Sequence, residues 1–100
     1  MLEGLAQGSA AITVVRQLQP AKLQELGICD WPIWSKEVSA FDWHYDDTET
    51  CYLLAGDVAV TTAQGETVRF GAGDLVTFPA GLSCRWQIHA TVRKHYRFGS

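Results

Sequence analysis

Residues 41–56 read FDWHYDDTETCYLLAG, and this stretch decides the fold. At its start three aromatic residues alternate with polar ones: Phe41, Trp43 and Tyr45 with Asp42, His44 and Asp46. After an acidic turn, residues 49–54 alternate in the same two-residue rhythm. Successive side chains of a β-strand point to opposite faces, so a period of two indicates a strand with one buried face. The stretch therefore predicts two consecutive strands joined by a turn.

Short apolar runs separated by turn residues continue to the C-terminus. They predict strands at 58–60, 68–70, 75–78, 84–89 and 92–98, with turns at 63–66 and 71–74. Near the N-terminus, residues 11–15 predict one more short strand. Pro20 suits the first turn of a helix and Gly27 suits its end, which predicts one short helix and no other. Short strands at this spacing favour an all-β sandwich or barrel.

Length and composition limit the function. The chain has 100 residues, of which 47% are hydrophobic, and a formal net charge of −3. These values predict an ordered single domain and exclude the basic footprint that binds nucleic acid or an anionic membrane. The three cysteines are an odd number with wide spacing, which favours a reducing compartment, and they form no CxxC pair, which argues against structural zinc. We therefore expect a cytoplasmic protein, with residues 1–19 as an N-terminal segment containing a short strand and residues 20–98 as the single domain.

Two half-motifs resemble those of the cupin superfamily. Glu49 followed after six residues by Gly56 resembles the end of the first cupin motif. Gly73, Pro79 and Gly81 in GDLVTFPAG resemble the start of the second. The runs WPIW and VRKHY, together with 41–56, resemble the small single-domain cupins grouped with the cupin domain of ureidoglycine aminohydrolase. This resemblance implies a double-stranded β-helix, a jelly-roll barrel with a pocket at its mouth.

The resemblance also implies where a metal would bind. A metal-binding cupin takes two histidines and a glutamate from the first motif and one histidine from the second. With the shorter spacing, which keeps the aromatic face inward, the two histidine positions hold Trp43 and Tyr45; with the longer spacing they hold Asp42 and His44. The second-motif position holds Cys84. We therefore predict neither a cofactor nor a tightly held transition metal, and only Glu49 and Cys84 remain as metal-ligand candidates.

Five residues are predicted to line a ligand pocket in the barrel: Glu49, Tyr45, Trp43, Cys84 and Trp86. Glu49 could bind an amine or a hydroxyl, act as an acid or base, or have only a structural role. The three aromatic residues could stack on a planar ligand or simply fill the barrel. Cys84 could line the wall or act as a nucleophile. The sequence assigns no catalytic residue.

Two further runs are given structural roles. Trp31 and Trp34 in WPIW are predicted to pack a lid or a contact between subunits rather than to bind ligand. The basic residues within 93–97 are predicted to protect an exposed edge of the sheet.

Three functions follow as hypotheses. The first is a cupin that binds a small organic ligand without a tightly held metal. The second is a metal-dependent cupin hydrolase or isomerase acting on a small metabolite, like ureidoglycine aminohydrolase. The third is a non-catalytic structural module that forms a homodimer.

Overall fold

The computed structural model describes residues 12–99. Within them the chain forms helix α1 (Pro20–Leu26), a 3₁₀ turn (Ile28–Asp30) and seven β-strands. The strands are β1 (Thr13–Val15), β2 (Ile33–Lys36), β3 (Ser39–His44), β4 (Glu49–Thr62), β5 (Thr67–Gly71), β6 (Leu75–Phe78) and β7 (Ser83–Phe98). The predicted all-β fold with one short N-terminal helix is confirmed, and the 3₁₀ turn is added to it. Residue 11 of the predicted first strand lies outside the described residues.

The bounds of α1 follow from its end residues. Pro20 occupies the start of the helix, where its fixed φ is compatible and its missing N–H is not needed. Gly27 ends the helix in the left-handed conformation at φ 68°, and its N–H donates to the Gln24 carbonyl at 3.1 Å. In the part of the chain that the structure describes, no helix has the length and apolar character needed to cross a membrane.

Strands β4 and β7 form the long antiparallel centre of the sheet. Their register runs from Glu49 opposite Phe98 to Thr62 opposite Cys84. The register shifts in the segment 53–58, where β4 is bulged. Bulges bend a strand and increase its twist, so this pair curls around the core instead of lying flat.

Each central strand is longer than the sequence predicts. Residues 84–89 and 92–98 belong to the single strand β7, because no glycine or proline interrupts the ladder between them. Likewise, β4 continues through Gly56, which lies within the bulged segment. A glycine in a strand therefore marks a bulge here and not an end.

Strand β7 is not an edge. It pairs with β4 on one side and with β2 and β3 on the other. The prediction that the basic residues of 93–97 protect an exposed edge is therefore wrong, since backbone partners already cover both sides of this segment. At the far end of the sheet, β6 pairs with β4 and with β1.

The core lies between the inward faces of β4, β6 and β7. Alternate residues of β7 are buried from Cys84 to Ile88, while their neighbours are exposed. Phe78 is fully buried and stacks on Tyr45, with ring centroids 4.7 Å apart. Trp86 packs against Phe78 at 5.8 Å, so large aromatic side chains fill the centre of this small domain.

Candidate functional site

An open cavity of about 570 Å³ lies between β2, β3 and the paired ends of β4 and β7. Four charged side chains line it: Lys36, Asp42, Glu49 and Lys94. The rest of its lining is aromatic: Trp34, Phe41, Trp43, Tyr45, Trp86, Tyr96 and Phe98. Aromatic walls with a few charged groups are typical of sites for small organic ligands.

The centre of the site is a buried ion pair. The Lys94 ammonium donates to Glu49 Oε2 at 2.7 Å, and each side chain is only 6% exposed. The same ammonium lies 5.0 Å from the ring centroid of Trp34 and 4.8 Å from that of Trp86. Removing two charges from water is costly, and here the short contact and the two ring faces offset that cost.

Tyr45 and Trp86 form the neutral polar part of the wall. The Trp86 indole N–H donates to the Tyr45 hydroxyl at 3.1 Å. Burial raises the pKa of Tyr45 well above its ordinary value, and the nearby Glu49 carboxylate raises it further. The phenol is therefore neutral at physiological pH. Because it accepts from Trp86, it keeps its own hydrogen as a donor.

The mouth of the cavity is apolar. Trp43 and Phe98 line the cavity, yet they are 50% and 55% exposed. The sequence predicts Trp43 inside the barrel together with Tyr45, and the half-exposed ring corrects this. Tyr45 turns inward just beyond the end of β3, while Trp43 stays at the entrance, its ring nearly perpendicular to that of Tyr45 at 76°.

Four of the five predicted pocket residues border this cavity: Glu49, Tyr45, Trp43 and Trp86. The fifth, Cys84, does not line it. Cys84 borders a separate shallow depression beside Ser83 and His44, whose Nδ1 lies 2.7 Å from the Ser83 hydroxyl oxygen. Cys84 lies on the same buried face of β7 as Trp86, but two residues nearer the start of the strand, where it borders the depression and not the cavity.

Of the eleven residues that line the cavity, seven were not among the predicted pocket residues, and Trp34 and Lys94 are the two for which another role was predicted. Trp34 is predicted to pack a lid or subunit contact, and instead its ring lines the cavity and contacts Lys94. Lys94 is predicted to protect an edge of the sheet, and instead it is buried. A signal for Lys94 was present, because counting by two from Trp86 along β7 places it on the inward face.

The residues present do not fit the metal that the cupin resemblance implies. Glu49 is engaged by Lys94, and the neighbouring histidine positions hold Trp43 and Tyr45. The alternative pair is directed elsewhere: Asp42 accepts from Arg85 at 3.0 Å, and His44 bonds to Ser83. Within residues 12–99, no group of three or more His, Cys, Asp or Glu side chains is arranged to hold a metal ion. The cation that faces Glu49 is an ammonium group of the protein itself.

The thiol of Cys84 is expected to react slowly in the folded protein. Burial, and secondarily the Asp42 carboxylate, raises its pKa to about 11. A raised pKa favours the neutral thiol, so at pH 8 only about 0.1% is thiolate, against roughly a quarter in an unfolded chain. We expect iodoacetamide to modify Cys84 at least about a hundredfold more slowly in native protein than in urea-unfolded protein.

Peptide mass spectrometry measures this labelling residue by residue. The exposed Cys29 is the internal control and should be labelled in native protein. Cys51, whose pKa burial raises to about 12, should be protected like Cys84. Rapid labelling of Cys84 in native protein, with Cys51 still protected, would instead support a nucleophilic role.

Comparisons with known proteins agree with this architecture. The sequence profile of the EutQ-like cupin domain matches residues 23–96. No curated protein matches the sequence. Among solved structures, a DUF861 family protein from Thermotoga maritima is 53% identical, with a TM-score of 0.84, over 87% of this chain and 98% of that one.

Two longer proteins share the fold. A putative ethanolamine utilization protein Q (EutQ) from Salmonella typhimurium is 27% identical, with a TM-score of 0.61, over 67% of this chain and 54% of its own. The EutQ protein of Clostridium difficile is 21% identical, with a TM-score of 0.62, over 67% of this chain and 52% of its own. This chain thus spans about half the length of the EutQ proteins it matches. The cupin prediction is confirmed: the chain belongs to the EutQ-like cupin domain family.

Proposed function

We propose that this protein binds a small planar organic ligand in the aromatic-walled cavity, with no transition metal taking part. The observation that carries the proposal is the buried Glu49–Lys94 pair facing an open space of about 570 Å³. That volume lies within the range of roughly 300–1,000 Å³ that holds metabolite-sized ligands.

The side chains around the pair define what the ligand would contact. Trp34, Trp86 and Phe41 offer ring faces or edges against which a planar molecule can pack. Glu49 accepts hydrogen bonds, whereas Lys94 and the neutral Tyr45 hydroxyl donate them. A ligand whose planar group both donates and accepts, such as an amide or a ring nitrogen beside a carbonyl, matches this set.

The cavity also favours binding over the filling role considered for the aromatic residues. Tyr45 and Trp86 are buried, and an open volume nevertheless remains in front of them. Side chains that served only to fill the barrel would close that space, because well-packed interiors leave few voids larger than a water molecule. A purely structural module would not need it.

The other two hypotheses have less support. A hydrolase or isomerase of the ureidoglycine aminohydrolase kind would need a metal, and the donor side chains of the cavity do not fit one. A homodimer remains a prediction, to be measured by light scattering. Location in the cytoplasm is part of the proposal, and the three unpaired thiols are in keeping with its reducing conditions.

Nuclear magnetic resonance of the tryptophan indole N–H groups tests ligand binding directly. The probe is indole-3-carboxamide, a neutral planar molecule, titrated to 5 mM into ¹⁵N-labelled protein. We expect the indole signals of Trp34, Trp43 and Trp86 to shift, because these three rings line the cavity. Trp31 is the internal control, because it does not line the cavity. Its ring centroid lies 4.8 Å from Cζ of the Arg97 guanidinium.

The pattern of shifts decides the outcome. Shifts confined to the three cavity rings support binding in the cavity. No shift at any of them, or equal shifts at Trp31, would overturn the proposed function.

A further inference from the structure

The four charged side chains that line the cavity sum to zero, but one negative charge among them is already neutralised by an arginine outside the lining. Of its four charged side chains, Glu49 and Lys94 neutralise each other at 2.7 Å. Asp42 is paired with Arg85 at 3.0 Å, and Arg85 does not line the cavity. Lys36 is left over: among the described residues no carboxylate lies within ion-pair distance of its ammonium.

Lys36 is held at the cavity wall and not extended into solvent. Its ammonium lies 5.5 Å from the ring centroid of Phe41, which itself lines the cavity. The side chain is half-buried at the end of β2, opposite Val92 in the sheet register. A cation over a ring retains its charge, so it remains available to an anionic group.

We infer that the natural ligand is a planar organic monoanion, such as an aromatic or heteroaromatic carboxylate, whose negative group is recognised by Lys36. This inference rests on the proposed function and names the class of its ligand. The planar body packs against the aromatic walls, and the Glu49–Lys94 pair meets the polar atoms of the ring. One anionic group matches the one surplus cation, whereas a dianion or a cationic ligand would leave a charge without its complement.

Three probes of one shape and different charge test the inference. They are indole-3-carboxylate, indole-3-carboxamide and 3-(aminomethyl)indole, which are anionic, neutral and cationic at pH 7. We expect the carboxylate to bind about fivefold more tightly than the carboxamide at low salt, as for a partly exposed ion pair, and the amine to bind most weakly. The preference should shrink in 0.5 M NaCl, where screening is strong.

Two variants with the same change in net charge test whether Lys36 is the residue that recognises the anionic group. Lys36→Gln should abolish the preference for the carboxylate while leaving the affinity for the carboxamide within about twofold. Lys22→Gln is the matched control, because Lys22 lies on α1 and pairs with Glu25, away from the cavity lining. It should leave the preference unchanged.

The outcomes separate the inference from the proposed function. Equal binding of carboxylate and carboxamide at the cavity rings would overturn the inference and leave the proposed function standing. A preference for the carboxylate that persists in Lys36→Gln would have the same consequence. If none of the three probes shifts the indole signals of Trp34, Trp43 and Trp86, both are overturned together.

Discussion

Replacing Lys94 with methionine is expected to lower the free energy of unfolding by about 3–5 kcal/mol, because it leaves the Glu49 carboxylate buried without its partner. Methionine retains most of the volume of the lysine side chain, so the loss reflects charge and not a new cavity. In a domain of this size, 1 kcal/mol corresponds to roughly 4–8 °C, so the melting temperature should fall by about 12–40 °C. Urea unfolding followed by tryptophan fluorescence measures the change directly.

A double substitution distinguishes a broken pair from a broken core. Glu49→Leu combined with Lys94→Met replaces both charges by apolar groups and should recover stability to within about 1.5 kcal/mol of the unmodified protein. Glu49→Leu alone should be milder than Lys94→Met, because the ammonium keeps its contacts with Trp34 and Trp86. If the two single losses simply add, Glu49 and Lys94 are not energetically coupled.

The surface offers a matched comparison for this pair. Arg85 and Asp42 form an ion pair of similar length, 3.0 Å, but their side chains are 58% and 84% exposed. Arg85→Met should therefore cost less than about 1 kcal/mol. A cost equal to that of Lys94→Met would mean that burial does not control the strength of these pairs.

The fold could be predicted because its signals are local. Alternation of apolar and polar residues shows which parts of the chain are strands, and glycines and acidic runs mark the turns between them. What the pattern did not show is where strands continue. The chain passes through residues 90–91 in β7 and through Gly56 in β4 without ending either strand, since pairing with neighbours stabilises these segments.

For the candidate site, the sequence predicts which face of a strand each residue lies on, but not which of these residues meet in space. A period of two shows that Cys84, Trp86 and Lys94 point to the same side of β7, but it does not show how far apart they are. Trp86 is eight residues before Lys94, yet its ring centroid lies 4.8 Å from the Lys94 ammonium, because the strand curls. Cys84, two residues before Trp86, does not line the cavity at all. Lys94 was missed for another reason: lysine is rarely buried without a partner, and its partner Glu49 is forty-five residues away in sequence.

The glycine that ends the first half-motif is expected to tolerate no side chain without a large loss of stability. Gly56 has φ 131°, and a Cβ added to it would lie 3.0 Å from Val92 Cγ2 and 3.1 Å from Val92 Cα. Gly56→Ala should therefore lower the free energy of unfolding by about 3 kcal/mol, of which roughly 1–2 is the cost of the positive φ and the rest the clash.

Gly81 allows the cost of a positive φ to be measured without a steric clash. It also has a positive φ, 88°, but an added Cβ would meet nothing within 4 Å. Gly81→Ala should therefore cost only the conformational part, about 1–2 kcal/mol. Trimming Val92 to alanine in the Gly56→Ala background should recover only part of the loss, because the contact with the Val92 backbone remains.

Equal losses for Gly56→Ala and Gly81→Ala in urea unfolding would contradict the close approach of β4 and β7 at the bulge. A larger loss at Gly56 would explain why the half-motif places a glycine seven positions after the glutamate: the carboxylate needs the buried end of β4, and the strand can pass so close to β7 only where it carries no side chain.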